Sequence, residues 1–313
     1  MLYILPIVCY YIAMSKKTYI SVQEAAKVWM LSERSVRNYC TQGRVKGSFL
    51  DGKNWKIPEN AQKPIRKIRH VIKKESLLQV LKREKDSNLK GGLYHKIQID
   101  LTYNSNHIEG SKLTHDQTRY IFETKTIGIS NDVIKVDDII ETVNHFRCIE
   151  LIIESAKSKL SESLIKQLHF ILKSGTTDSQ KNWFKVGEYK LLENEVAGQE
   201  TAKPDEVATK IKVLLSEYNS KKEIIFDDIL DFHVKFEKIH PFQDGNGRVG
   251  RLIMFKECLK HNIIPFIITD ELKLFYYRGI KEWKKEPGYL RDICLTGQDE
   301  MKENLKYFGI NTE

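Results

Sequence analysis

The sequence predicts a mainly α protein that carries a small N-terminal domain of two helices and a β-hairpin. Three observations predict it. Apolar residues recur at helical spacing, most clearly Ile229, Leu230, His233, Phe236 and Ile239. Asp51-Gly52 stands between two apolar runs, which is a hairpin signal. Charge is unevenly spread: residues 14–90 hold 19 Lys or Arg against 7 Asp or Glu, and the rest hold 32 against 35. A basic first quarter on a nearly neutral body points to an anionic polymer, most often nucleic acid, as a partner for that part. A solvated basic surface is the plain alternative.

The chain has 313 residues, 41% of them hydrophobic and 30% charged, enough for one or two cores of ordinary size. Its apolar stretches fall short of the roughly 20 residues that span a bilayer as a helix, which excludes a polytopic membrane protein. The five cysteines, Cys9, Cys40, Cys148, Cys258 and Cys294, form no C-x-x-C pair. They read as reduced thiols of a cytoplasmic protein with no membrane partner. The leader over residues 1–14 begins MLYILPIVCYYIA, and its charge, Lys16 and Lys17, follows the apolar run instead of preceding it. That is the reverse of a secretory signal, so the expectation is a start assigned too early, with Met14 the natural one. An interfacial anchor is the alternative, opposed by Pro6.

Taken in order, Ser21 and Glu24 make a capping-box pattern ahead of Val22, Ala25, Ala26 and Trp29, so a first helix runs to Trp29. Ser32 caps a second, Glu33 to Cys40, with Val36 and Tyr39 inward and Arg34, Ser35, Arg37 and Asn38 outward. Val45 to Leu50 and Trp55 to Pro58 then flank Asp51-Gly52 as a wing. This segment resembles the small winged-helix DNA-binding domains of the excisionase and MerR type, with the domain placed at 15–64. The resemblance implies that the outward face of the second helix enters a major groove, while Arg44, Lys46, Lys53 and Lys56 meet phosphates. A helical module that binds another protein is the alternative. Residues 65–94 are expected to be a basic connector, helical around Leu77, Leu78 and Leu81.

Residues 245–250 read Gly-Asn-Gly-Arg-Val-Gly, which satisfies G-x-G-x-x-G. A dinucleotide fold requires a strand before the glycines, and here a helical pattern over 227–239 precedes them. The segment makes better sense as helix, loop, helix. Pro241 ends the first helix just past His240, and Phe242 anchors the loop. Gly245, Asn246 and Gly247 let backbone N–H groups converge at a helix start, where phosphate is favoured. Arg248 and Arg251 share a helix face as phosphate clamps, and Asp244 offers a hard oxygen to Mg2+.

At these residues the sequence resembles the Fic (Fic/DOC) family, whose signature H-x-F-x-[DE]-G-N-G-R-x-x-R is matched at every fixed position from His240 to Arg251. The resemblance extends over most of 95–300, with Asp137–Glu150 and Ser163–Lys173 as preceding helices and Gly187-Glu188-Tyr189-Lys190 approaching the flap. It implies a Fic-type helical bundle with a small β-hairpin flap over 95–313. It implies transfer of AMP from ATP to a Ser, Thr or Tyr hydroxyl of a protein. His240 is then the general base and Asp244 the Mg2+ ligand; Gly245 to Gly247 and Arg248 hold the α- and β-phosphates, and Arg251 the γ-phosphate. It also implies that a protein target docks by β-augmentation on a flap within 185–204, with a hairpin about Glu193-Asn194. A homodimer is among the forms it implies.

Ser105, Glu109 and Gly110 match the family's inhibitory pattern [ST]-x-x-x-E-[GN], on an inhibitory helix near 101–110. The plain alternative is a helix end with Gly110 as left-handed cap, and both can hold. His233 and His169 read as packed histidines. The leading expectation is thus a self-inhibited AMP-transferase. The alternatives are a hydrolase that uses Glu109 to remove AMP, and a nucleotide-sensing transcriptional regulator without transferase activity.

Overall fold

The computed structural model describes residues 18–64, 75–128, 133–196 and 199–311. The apolar leader, Met14, residues 65–74 of the expected connector and Ala197-Gly198 of the flap lie outside them. The described residues fall into two compact units, one within 18–64 and one from residue 75 onward.

In the small unit, β1 (Tyr19–Ile20) leads into α1 (Val22–Trp29) and α2 (Glu33–Thr41), and β2 (Phe49–Asp51) and β3 (Asn54–Pro58) complete an antiparallel sheet of order β1-β3-β2. The capping box forms as the residues require: Ser21 Oγ accepts from Glu24 N at 3.2 Å and the Glu24 carboxylate accepts from Ser21 N at 2.7 Å. Ser32 Oγ caps α2 through Ser35 N at 3.2 Å. Val22, Ala25, Ala26, Trp29, Val36, Cys40, Val45 and Ile57 close a core of their own.

The wing is shorter than its apolar run. Ser48 N donates to Val45 O and Gly47 has φ +81°, so 45–48 turn and the strand begins at Phe49. Its tip also sits one residue later than Asp51-Gly52. Asp51 pairs with Asn54 across a Gly52-Lys53 turn, where Gly52 supplies φ +62° at the first central position. Of the outward residues of α2, Arg34, Arg37 and Asn38 are exposed and Ser35 is half-buried. Arg37 is tied to Glu33 at 2.7 Å.

The larger unit comprises α3 (Leu77–Asp86), α4 (Leu93–Ile108), α5 (His115–Thr124), α6 (Val136–Glu154), α7 (Glu162–Lys173), the hairpin β4 (Glu195–Val196) and β5 (Gln199–Glu200), α8 (Pro204–Ser220), α9 (Phe226–Ile239), α10 (Asn246–Lys260), α11 (Lys273–Glu282) and α12 (Gly288–Tyr307). Leu77, Leu78 and Leu81 of α3 join its main core, so α3 belongs to this unit and the connector is shorter than the 65–94 expected. In the flap hairpin Glu195 pairs with Glu200 and Val196 with Gln199, so Glu193-Asn194 precede its first strand and are not its turn. Among the described residues no helix is long and apolar enough to cross a membrane. The four described cysteines are free and buried.

What places the site is α10. It packs on α9, α7, α6 and α4, and every residue of it except Gly247 and Lys260 is buried. Two arginines on such a helix must find partners inside the protein, and they do.

Candidate active site

The loop between α9 and α10 is held open by its own residues. His240 ends α9 in the left-handed region, φ 51° and ψ 63°, with its N–H on Phe236 O at 2.9 Å. A side chain rarely adopts this backbone, and Pro241 then bars any return to helix. Phe242 is fully buried and stacks on His169 with ring centroids 3.9 Å apart. Asn246 staples the loop: its Oδ1 accepts from Phe242 N and its Nδ2 donates to Phe242 O, both at 2.8 Å. The Asn246 side chain is therefore committed to the loop and offers an anion only its backbone N–H, a narrower role than the sequence suggested.

His169 does more than pack. Gly187 N donates to its Nδ1 at 2.9 Å, so Nε2 carries the proton and donates to Asp244 O at 3.1 Å. Burial drives its pKa down to about 3, which keeps this bridge between α7, the flap approach and the loop neutral. His233 is the packed histidine expected, fully buried with Nε2 2.6 Å from Tyr276 Oη.

Arg251 is almost fully buried and clasped from α4. Nε donates to Ser105 Oγ at 3.0 Å, and Nη2 donates to Ser105 O at 3.0 Å and to Glu109 Oε1 at 2.6 Å. Its Nη1 is buried with no hydrogen-bond partner among the described residues. A Cβ on Gly247 would collide with Glu109 Oε1 and lie 2.9 Å from that same Nη1, so the glycine leaves a cradle that the Glu109 carboxylate fills. Gly110 has φ +98°, with Gly110 N on His107 O and Ser111 N on Asn106 O. This double closure of α4 fixes Glu109 at the helix end, so the capping role and the Arg251 contact coexist.

Arg248 meets Glu141 and Asp244, the latter at 3.2 Å, while Lys173 joins Glu141 and reaches Asp244 Oδ2 at 2.7 Å. Burial would raise the Asp244 pKa, but Arg248 and Lys173 hold it well below the usual carboxylate range. Half-exposed and ionised, Asp244 offers a hard carboxylate oxygen that would suit a divalent cation. Among the described residues no cluster of three metal-binding side chains occurs. Glu141 and Lys173 were not singled out by the sequence, and nothing local marks them.

Burial and the Lys190 ammonium push His240 down to about 4, so its imidazole is neutral near pH 7 and able to accept a proton. One turn earlier, Glu237 is buried and pushed up to about 8 by burial, with Arg251 opposing, so it is protonated there. The wing residue Lys53 and the α2 residues Arg34, Ser35, Arg37 and Asn38 belong to the separate small unit.

The fold of the larger unit is similar to that of solved Fic proteins, and residues 159–258 match the Fic/DOC family. The fold resembles a Fic domain containing signaling protein from Bacteroides thetaiotaomicron, at TM-score 0.59 and 24% identity, over 75% of this chain and 98% of that one. It also resembles C. elegans Fic-1 (aa134–508), at TM-score 0.59 and 18% identity, over 74% and 72%. Among curated relatives, the protein adenylyltransferase Fic of Nematostella vectensis is 27% identical over 190 residues, 58% of this chain and 42% of that protein. That of Drosophila willistoni is 30% identical over 198 residues, 57% and 35%. The chain thus spans about two fifths of the length of the relatives it matches.

Proposed function

We propose that the chain is a protein adenylyltransferase that moves AMP from ATP to a Ser, Thr or Tyr hydroxyl of a protein, and that Glu109 holds it off. The supporting observation is the capture of Arg251 by Ser105 and Glu109 above an intact His240-to-Arg251 loop. The unpartnered Arg251 Nη1 leaves a donor beside the Gly247 cradle that the Glu109 carboxylate does not use, which supports the reading of an anion site.

In the reaction His240 takes the proton of the target hydroxyl, whose oxygen attacks the α-phosphorus of ATP. A P–O bond forms there, the bond to the β-phosphate bridge breaks, and pyrophosphate leaves. The N–H groups at the start of α10 and Arg248 hold the α- and β-phosphates, and Arg251 the γ-phosphate. Mg2+ bound at Asp244 would neutralise charge between the phosphates. With Glu109 on Arg251 the γ-phosphate lacks its clamp, and a displaced triphosphate loses in-line geometry. A misplacement of about 1 Å can lower the rate by on the order of 100-fold. The flap around β4 and β5 would receive the target's extended main chain.

The small unit is read as a winged helix-turn-helix that binds duplex DNA through Arg34, Ser35, Arg37 and Asn38 of α2 and Lys53 of the wing. Incubation with ATP labelled at the α- or γ-phosphate, followed by intact-mass measurement, tests the enzymatic reading. It expects α-label and the mass of AMP on protein. Label from neither position on the chain or on any lysate protein, even after Glu109→Gly, would leave a nucleotide sensor.

A further inference from the structure

Lys190 stands out among the buried groups that the proposed chemistry does not use. It is only 3% exposed, yet both acceptors of its ammonium are neutral: Asn194 Oδ1 and Thr201 Oγ1, each at 2.6 Å. A buried ammonium without a directly paired carboxylate is unfavourable, so its retention asks for a role. Its neighbours indicate one. Asn194 enters β4 and Thr201 leaves β5, so the ammonium closes the mouth of the flap hairpin. Asn194 Nδ2 donates to Phe242 O at 3.1 Å, Leu192 N to Gln243 Oε1 at 3.2 Å, and Lys190 N to Pro241 O at 2.9 Å. Every one of those acceptors lies on the catalytic loop within three residues of His240.

We propose that Lys190 is a positioning residue: its ammonium locks both stems of the flap to one another and to the catalytic loop, so that a docked target chain and His240 share one frame. This rests on His240 being the general base. The same charge has a second effect. His240 faces the carboxylates of Glu109 of α4 and Asp244 of the loop, whose charges favour its protonated form, as does the backbone of Glu237 of α9, whose own carboxyl is neutral; burial and Lys190 oppose them and keep the imidazole neutral. Lys190 itself is lowered to about 8 by burial and by Lys210 of α8, with Glu193 opposing.

The test uses the full chain with labelled histidines and three variants. Lys190→Met removes lock and charge, Lys190→Arg keeps a charge, and Thr201→Val removes one acceptor. In Lys190→Met the amides of Leu192–Glu195 and Gln199–Thr201 are expected to exchange on the order of tenfold faster, in line with loss of a charged hydrogen bond. The His240 resonances should begin to move at higher pH than in the wild type. The acid limb of self-AMP incorporation, measured in a Glu109→Gly background, should shift the same way. Lys190→Arg should restore a neutral His240, and Thr201→Val should loosen the flap without moving the His240 titration. Unchanged exchange and titration in Lys190→Met would overturn the proposal, as would a Thr201→Val that moves His240 equally. Exchange and titration need no turnover, so a chain that transfers no AMP would refute the enzymatic reading and leave Lys190 to be judged on its own.

Discussion

If the proposed function holds, replacing Glu109 by Gly should raise AMP transfer. The ion pair removed is a charge-assisted contact of 2.6 Å onto a guanidinium that is 4% exposed, from a carboxylate that is 24% exposed. Hydrogen bonds to charged groups are worth about 1.5–3 kcal/mol. The γ-phosphate must displace that bond to reach Arg251, so at about tenfold per 1.4 kcal/mol the productive complex is suppressed by about 10- to 150-fold. Glu109 is the C-cap of α4 at φ −86°, and the turn that ends the helix depends on Gly110, so the variant keeps the helix end. The assay is AMP incorporation from α-labelled ATP by wild type, Glu109→Gly, Arg251→Ala and the double variant, on the chain itself and on lysate protein. The gain should appear in the first variant and largely vanish in the double one. If Glu109→Gly incorporates no more AMP than wild type while ATP still binds, the carboxylate is not a brake and Gly110 is only a cap. If it loses an ability to strip AMP from a modified protein, Glu109 serves the hydrolytic reaction.

Acid should unfold the larger unit early. His145, His169 and His233 are pushed to about 3 and His240 to about 4, so below pH 6.5 the unfolded chain binds protons that the folded one refuses. Stability then falls with pH, by about 1 kcal/mol per histidine between pH 7 and 5.5. A Tm that stays level over that interval would contradict the burial argument. Glu237 has the opposite sign: its folded pKa near 8 lies above the unfolded value, so its contribution is lost as pH rises from about 4.5 to 8. Glu237→Gln should therefore gain Tm over wild type progressively between pH 5 and 8, and a constant difference would show a carboxylate that is already ionised. Duplex DNA should bind the full chain with affinity falling linearly in log salt, and Arg34→Ala should reduce that slope by about one. No binding at low salt would assign the small unit to a protein partner.

The candidate site was legible where its residues are contiguous. His240 to Arg251 carry the proposed base, cation ligand, anion nest and clamps in one run, and local backbone rules place them without knowledge of the fold. Glu109 could be connected to Arg251, 142 positions later, only through a resemblance. Glu141 and Lys173 were not legible at all. Each lies on an ordinary amphipathic helix, and only the packing of α6 and α7 on α10 turns them toward Arg248 and Asp244. The two hairpins show the limit of turn chemistry. Asp51-Gly52-Lys53-Asn54 permits two registers, and Gly52 at the first turn position selects the later one. Glu193-Asn194 reads as a turn, but Asn194 is drawn onto Phe242 O and Thr201 and stands at the base of the first flap strand instead.

The burial of α10 gives the brake a second identity. Arg251 sits inside the protein, where a guanidinium without negative charge beside it is strongly destabilising, so Glu109 is its counterion and, on the proposed function, its blocker as well. On the proposed function the restrained form is also the electrostatically satisfied form, and ATP would enter by exchanging one anion for another at the same cation. A chain freed of Glu109 would be more active yet less stable when empty, and nucleotide would raise its Tm more than it raises that of the wild type. On that reading the restraint would follow from placing a phosphate-binding cation in a core.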